Sequence, residues 1–289
     1  RMAQIMDGIA TAHTLEMDFG GVVDVTTRRS LYSRTTMHGV PFMDLVDDFF
    51  GPGASAQLYG AEAAPEHFRR ERTFFSRQRL REARPSLPEG CDVLLRSGTA
   101  WIYDDDGVQP PTQEATQYYE PGLKTALREQ LLLQPLAFAP RRPAVAIHMR
   151  RGDIGPDSFD ARRVQPEEYY YRLVERIRKQ VPSADVHVWS SVGRGMNKEE
   201  CWASSDFDGL RSRNITVHLD EDGPLTAWAH MARAQVLVMS MSLFSYVPGI
   251  INPHCRVWPG PVDPLQRGWM DGLSASNTSQ DVEFWSCFS

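Results

Sequence analysis

Residues 144–153 read Ala-Val-Ala-Ile-His-Met-Arg-Arg-Gly-Asp, an apolar run of strand length that empties into two adjacent arginines, a glycine and an acid. A buried strand of this kind delivers charge to its C-terminal edge, and in open α/β sheets ligands bind at that edge. Arg150 and Arg151 each offer a planar fork of donors that stays charged at any working pH, which suits a phosphate or a carboxylate. The competing reading is a surface pair in salt bridges with Asp153, Asp157 and Asp160. Further along, Ser240-Met241-Ser242-Leu243-Phe244-Ser245 stands between another short apolar run and an apolar helix. Strand, hydroxyl loop and helix N-terminus together make an anion cradle, in which backbone N–H groups and serine hydroxyls donate. Here the alternative is that Ser240, Ser242 and Ser245 cap the helix. No G-x-S-x-G elbow surrounds these serines, and no P-loop, G-x-G-x-x-G fingerprint or HExxH helix occurs in the chain.

The elements that must position these residues alternate. After a Pro-rich linker at 135–143, the Ala144 strand is followed by a helix expected over Pro166–Gln180, with Tyr170, Leu173, Val174 and Ile177 on one face. Its acids Glu167 and Glu168 sit in the first turn and Arg176, Arg178 and Lys179 in the last, as the helix dipole favours. Strands are expected at Val186–Trp189, Ile215–Leu219 and Val236–Met239, and helices at Pro224–Arg233 and up to about Ile251. Strand and helix in alternation imply a parallel sheet flanked by helices, hence an α/β fold. Upstream, helices are expected at Met2–Glu16, Pro41–Phe50 and Pro121–Leu133, and strands at Gly20–Val25, Asp92–Arg96 and Thr99–Tyr103. The aspartates Asp104, Asp105 and Asp106 precede Gly107 and read as an ordinary Asp-Gly turn, since no further ligands fall at calcium-loop spacing.

The chain has 289 residues, 42% of them hydrophobic and 24% charged, with a net charge of −6. That balance argues against general nucleic-acid binding, which shows a basic footprint. No apolar run approaches the roughly 20 residues that cross a bilayer, and no signal peptide is visible. An upstream segment with an anchor or targeting signal is compatible with a chain that starts at Arg1. Cys91, Cys201, Cys255 and Cys287 show no CxxC or Cys/His pattern, so no metal site is expected, and their disulfide state stays open. The sequons at Asn214 and Asn277 permit a lumenal protein without requiring one.

Taken together, these residues resemble the fucosyltransferase superfamily of GT-B glycosyltransferases, which spans α1,2-, α1,6- and protein O-fucosyltransferases. The family's H-x-R-R-x-D-like motif is matched by His148-Met149-Arg150-Arg151-Gly152-Asp153, and its S-x-S-x-F-S-like motif by residues 240–245, after an A-x-V-L-V-like strand at 234–238. Arg1-Met2-Ala3-Gln4 looks like the tail of the family's Gly-rich first loop. The resemblance is good over roughly residues 115–260 and faint before that.

The resemblance implies two Rossmann-like lobes, the N-terminal one truncated or degenerate: residues 1–140 on the acceptor side, 141–265 binding the nucleotide sugar, and 266–289 as a C-terminal tail. It implies an inverting transfer of fucose from GDP-fucose to a glycan or glycoprotein hydroxyl, with no metal and no further cofactor, in the Golgi or endoplasmic reticulum lumen. By motif position Arg150 and Arg151 are the catalytic cations that meet the diphosphate, and Ser242, Phe244 and Ser245 contact phosphates or nucleoside. His148 either orients the motif or touches the donor, or is a buried structural histidine. Asp153 is expected to fix Arg151 or the loop backbone, since an acid aimed at a diphosphate would repel it. Two departures stand against the pattern: Ser190-Ser191 stands where many relatives carry an acidic pair, and the Gly-rich loop is absent or truncated upstream of Arg1. They motivate an alternative, a catalytically inactive transferase-like subunit that binds partner chains in a larger assembly. Glu16 and Asp18 are candidates for a general base on the same footing as surface acids.

Overall fold

The structure, a computed structural model, describes residues 121–259 apart from 142, 157–160, 195–199 and 221–222, together with 269–272; before residue 121 it describes only 22–24, 36–37, 40–50, 58–60, 72–74, 82–83, 85 and 93–95. The chain divides into two compact units, Arg1–Ala126 with Val262–Arg267, and Leu127–Pro261 with Gly268–Ser289. In the first unit Val22–Asp24 pairs in parallel with Leu58–Gly60, and Arg72–Phe74 with Val93–Leu95. A helix over Phe42–Phe50 buries Leu45, Val46 and Phe49. The expected helix at Met2–Glu16, the strand at Thr99–Tyr103, the Asp104–Asp106 turn, Glu16 and Asp18 lie outside the described residues.

The second unit is built on one six-stranded sheet: β1 (Ala144–His148), β2 (Asp185–Ser190), β3 (Thr216–Leu219), β4 (Val236–Val238), β5 (Cys255–Trp258) and β6 (Met270–Asp271). Every pairing is parallel and the spatial order is β3-β2-β1-β4-β5-β6. This is the doubly wound order of Rossmann-like folds. The helices are α1 (Pro121–Leu133), α2 (Glu167–Gln180), a single turn α3 (Asp208–Arg211), α4 (Pro224–Arg233) and α5 (Leu243–Ile251). Helices α1 and α4 form over the residues expected from periodicity, and α2 begins one residue later because Pro166 is its N-cap.

Right-handed crossovers dictate the layering. The chain moves from β1 to β2 on one side, and from β3 across to β4 and on to β5 on the other, so the connecting helices fall on opposite faces. On the first face Val145, Ile147, Val186, Val188, Val236, Val238 and Val257 join Tyr170, Leu173, Val174 and Ile177 of α2 in one buried cluster. Fully burying each such side chain contributes about 1.5–3 kcal/mol, and all four α2 residues fall on the stripe that the 3.6-residue period marks out.

The second face is chemically different. In register across the three strands stand His148, Trp189 and His218, with Ala146 beside His187 one pair further down. Helices α4 and α5 pack together on this side, where Trp228 and Phe244 meet at 5.6 Å between ring centroids and Phe244 lies against His148.

Candidate functional site

Strand β1 sends the chain toward β2, while its neighbour β4 sends it the opposite way toward β5. The C-terminal edge between β1 and β4 is therefore the topological switch point, where doubly wound sheets bind ligands in a crevice. Because Val238 is in register with Ile147, the two stretches singled out in the sequence emerge side by side. They touch directly: Ser240 Oγ lies 2.7 Å from His148 Nδ1, and the Phe244 ring lies 4.9 Å from the imidazole. His148 is 7% exposed, and burial, followed by the nearby charges of Arg150 and Arg163, lowers its pKa to about 3. It is a neutral histidine that ties the first loop to the second.

The serines build the turn they stand in. Ser242 is the N-cap of α5 and its hydroxyl accepts the Phe244 N–H at 3.2 Å. Ser245 Oγ accepts the Ser240 N–H at 3.1 Å, and its own proton reaches the carbonyls of Ser240 and Ser242 at 3.1 and 3.2 Å. Both serines are buried, and their hydroxyls cross-brace residues 240–245, which fixes the positive end of α5 at the C-terminal edge of the sheet.

The adjacent arginines part company. Arg151 follows the alternation of β1 onto the α2 face, where it is 2% exposed. Its Nη1 donates to Arg150 O and its Nη2 to Gln165 O, each at 2.9 Å, and its guanidinium lies 4.4 Å above the Trp202 ring. Burial pulls its pKa below the ordinary arginine value, while Tyr170, Glu167 and Asp206 pull it back. Arg150 stays on the His148 side with 19% of its side chain exposed. It donates to Arg151 O at 3.2 Å and forms an ion pair with Asp153. Asp153 thus holds Arg150, where the sequence pointed to Arg151 or the loop backbone, because Arg151 is turned under the loop onto two carbonyls.

Gly152 makes that loop possible. Its φ of +74° is in the left-handed region, and the Ser191 hydroxyl occupies the place a Cβ would take. Ser190 Oγ donates to Met149 O at 2.8 Å, a bond an ionised aspartate at this position cannot make.

Several residues of this region carry no signal in the sequence. Arg163, from a helical turn at Ala161–Arg163, donates its Nε to Met241 O at 2.9 Å, so the loop after β1 clasps the loop after β4. On the same face Phe138 stacks on His230, His187 and His218 at 4.1, 4.6 and 5.1 Å between centroids. His187 Nδ1 and His218 Nε2 are 3.0 Å apart, Asp185 lies 3.2 Å from His187 Nε2, and the Ala137 N–H donates to His230 Nε2. Burial lowers the pKa of His230 to about 4 and also lowers that of His187. Single histidines in two strands and a helix give no periodic pattern; only strand pairing and the packing of α4 bring them together.

Among the described residues no group of three or more His, Cys, Asp or Glu is placed to hold a metal ion, and no helix is long and apolar enough to cross a membrane. Cys255 is buried with its Sγ 3.4 Å from Met270 Sδ; Cys91 and Cys287 lie outside the described residues.

Fold and site together define a Rossmann-like parallel α/β unit with two interlocked, arginine- and serine-bearing loops at its switch point. Among solved structures the chain is similar to POFUT1 in complex with GDP, with 15% identity over 79% of this chain and 68% of that one and a TM-score of 0.31. A second crystal form of the GDP complex gives 15% identity, 82% and 74% coverage and a TM-score of 0.33. POFUT1 in complex with GDP-fucose gives 14% identity, 90% and 65% coverage and a TM-score of 0.27. No protein-family model and no curated protein matches the sequence.

Proposed function

We propose that this chain is a GDP-fucose-dependent, inverting glycosyltransferase that moves fucose to a hydroxyl of a glycan or glycoprotein in the Golgi or endoplasmic reticulum lumen. In this reading the Leu127–Pro261 unit holds the donor and the Arg1–Ala126 unit is the acceptor-side lobe of a GT-B pair. The observation that carries it is the bond between Ser240 and His148, which joins the two motifs into one loop pair at the switch point.

The chemistry follows from charge. Breaking a sugar–phosphate bond leaves negative charge on the departing diphosphate, and this is stabilised by fixed cations and dipoles aimed at it beforehand. Arg150, on the crevice side, is the group that meets the phosphates. Arg151 holds the loop backbone through Arg150 O and Gln165 O. The N-terminus of α5, fixed by Ser242 and Ser245, adds its partial positive charge, and Phe244 presents an aromatic edge beside it. His148, neutral at any physiological pH, keeps the two loops in register without placing a competing charge.

A second reading is favoured by one observation: the loop is satisfied within itself, Arg150 closing on Asp153 and Arg151 O while Ser190 secures Met149 O. Such a loop suits an inactive transferase-like subunit that binds partner chains. Incubation with GDP-fucose separates the two. A transferase releases GDP and fucose by slow hydrolysis even without acceptor, and Arg150→Ala abolishes that release. A protein that binds GDP but releases no fucose at high enzyme concentration is the inactive subunit.

A further inference from the structure

The sequence offers two neighbouring cations for the anion, yet the fold gives only one of them to the crevice, since Arg151 is turned under the loop and held by two carbonyls and the Trp202 ring. The second guanidinium on the crevice side comes from Arg163. Two observations place it there. Its Nε donates to Met241 O, the carbonyl between Ser240 and Ser242, so its guanidinium lies against the turn that begins α5. Its charge also acts on His148 together with that of Arg150, so both arginines are near the same imidazole. Gln165 reaches the same residue from the same loop, its Nε2 lying 3.6 Å from Met241 Sδ, and so braces the contact.

We propose that Arg163 is the second phosphate-binding cation of this site, beside Arg150, and that Arg151 is a positioning residue. The inference rests on the nucleotide-sugar reading and names the group recognised: the diphosphate of a nucleoside diphosphate, not its base or ribose. The geometry suits that group. A diphosphate spreads charge over two phosphorus centres, and two guanidiniums well separated along one loop span it better than two from neighbouring residues whose side chains leave opposite faces of a strand. Fixing the Arg163 plane through Nε also reduces the side-chain entropy that binding would otherwise cost.

The test is calorimetric titration of the full chain with GDP and, separately, with guanosine, for wild type, Arg163→Gln and Arg163→Lys. Gln keeps an N–H donor for Met241 O and removes the charge together with the Nη donors. GDP affinity is expected to fall about 10- to 100-fold in Arg163→Gln, the range for losing a charge-assisted hydrogen bond, with guanosine affinity unchanged and part of the GDP affinity restored in Arg163→Lys. Equal GDP affinity in Arg163→Gln and wild type overturns the inference, and if Arg150→Ala still loses GDP the nucleotide-sugar reading survives that result. Equal losses for GDP and guanosine mean that Arg163 only shapes the turn, which also overturns it. Absence of GDP binding in wild type removes the reading and the inference together.

Discussion

At the scale of single residues, the contact between His148 and Ser240 organises the site. Imidazole and hydroxyl are both buried, so neither can replace a lost partner with water. Ser240→Ala removes the hydroxyl and leaves His148 Nδ1 without this partner, at a cost of roughly 1–3 kcal/mol. Urea unfolding of the variant is expected to show that loss with an unchanged slope, whereas an unchanged midpoint would mean that the bond contributes nothing. The conformational demands are equally local. Gly152 takes a left-handed φ against the Ser191 hydroxyl, so the departure from an acidic pair at Ser190-Ser191 is compatible with this loop: a small hydroxyl fits beside the glycine and bonds Met149 O. The sequence made the residue types of the site readable, including the strand-end arginines and the serines that cap α5. It did not reveal direction. Arg150 and Arg151 are equivalent as letters, and only the alternation of β1 sends one to the crevice and the other beneath the loop. Arg163 was invisible for a related reason: it stands among other arginines, and its role depends on a contact with a carbonyl far along the chain.

At the scale of elements, long periodic segments were legible, and so were the short apolar runs that form β3 and β4. The apolar stripe of α2 and the proline at the start of α4 mark those helices in the sequence, and the runs at Ala144 and Val186 mark β1 and β2. Strand β5 was missed because Cys255-Arg256-Val257-Trp258 is short, interrupted by a charge and bracketed by Pro253 and Pro259; tertiary pairing with β4 decides its conformation. The histidine face of the sheet is the larger surprise, and it makes the fold sensitive to acid. Asp185 and Arg141 face His187, while His218, His187 and Arg233 act on His230. The folded pKa values of His148 and His230, about 3 and about 4, lie below the ordinary 6.5. Between those values and 6.5 the unfolded chain binds protons that the folded chain does not, so stability rises with pH through that window. Stability is therefore expected to be full above the ordinary histidine pKa and to fall as pH drops through the window, by on the order of 1 kcal/mol per buried histidine by pH 5. Urea midpoints measured at pH 7.5 and pH 5.0 check this. His230→Gln, which keeps an acceptor for the Ala137 N–H, is expected to narrow the difference; a midpoint that does not change with pH would show that the histidines carry no such linkage.

At the scale of the whole molecule, the strand order β3-β2-β1-β4-β5-β6 turns two distant sequence stretches into one site. Neither motif binds anything by itself: the arginine loop leaves one strand, the serine turn another, and the reversal of winding between them opens the crevice. The net charge of −6 is distributed over the chain, while the described part of the crevice gathers Arg150 and Arg163 about a neutral histidine. In the proposed function these two cations meet a compact anion, not a polyanion such as nucleic acid. The central claim is that this crevice binds a nucleoside diphosphate, and the most direct test is a calorimetric titration of the protein with GDP, repeated on Arg150→Ala. The account predicts saturable binding by wild type that weakens about 10- to 100-fold in the variant. Failure of the wild-type protein to bind GDP, or equal affinities for the two proteins, would contradict it.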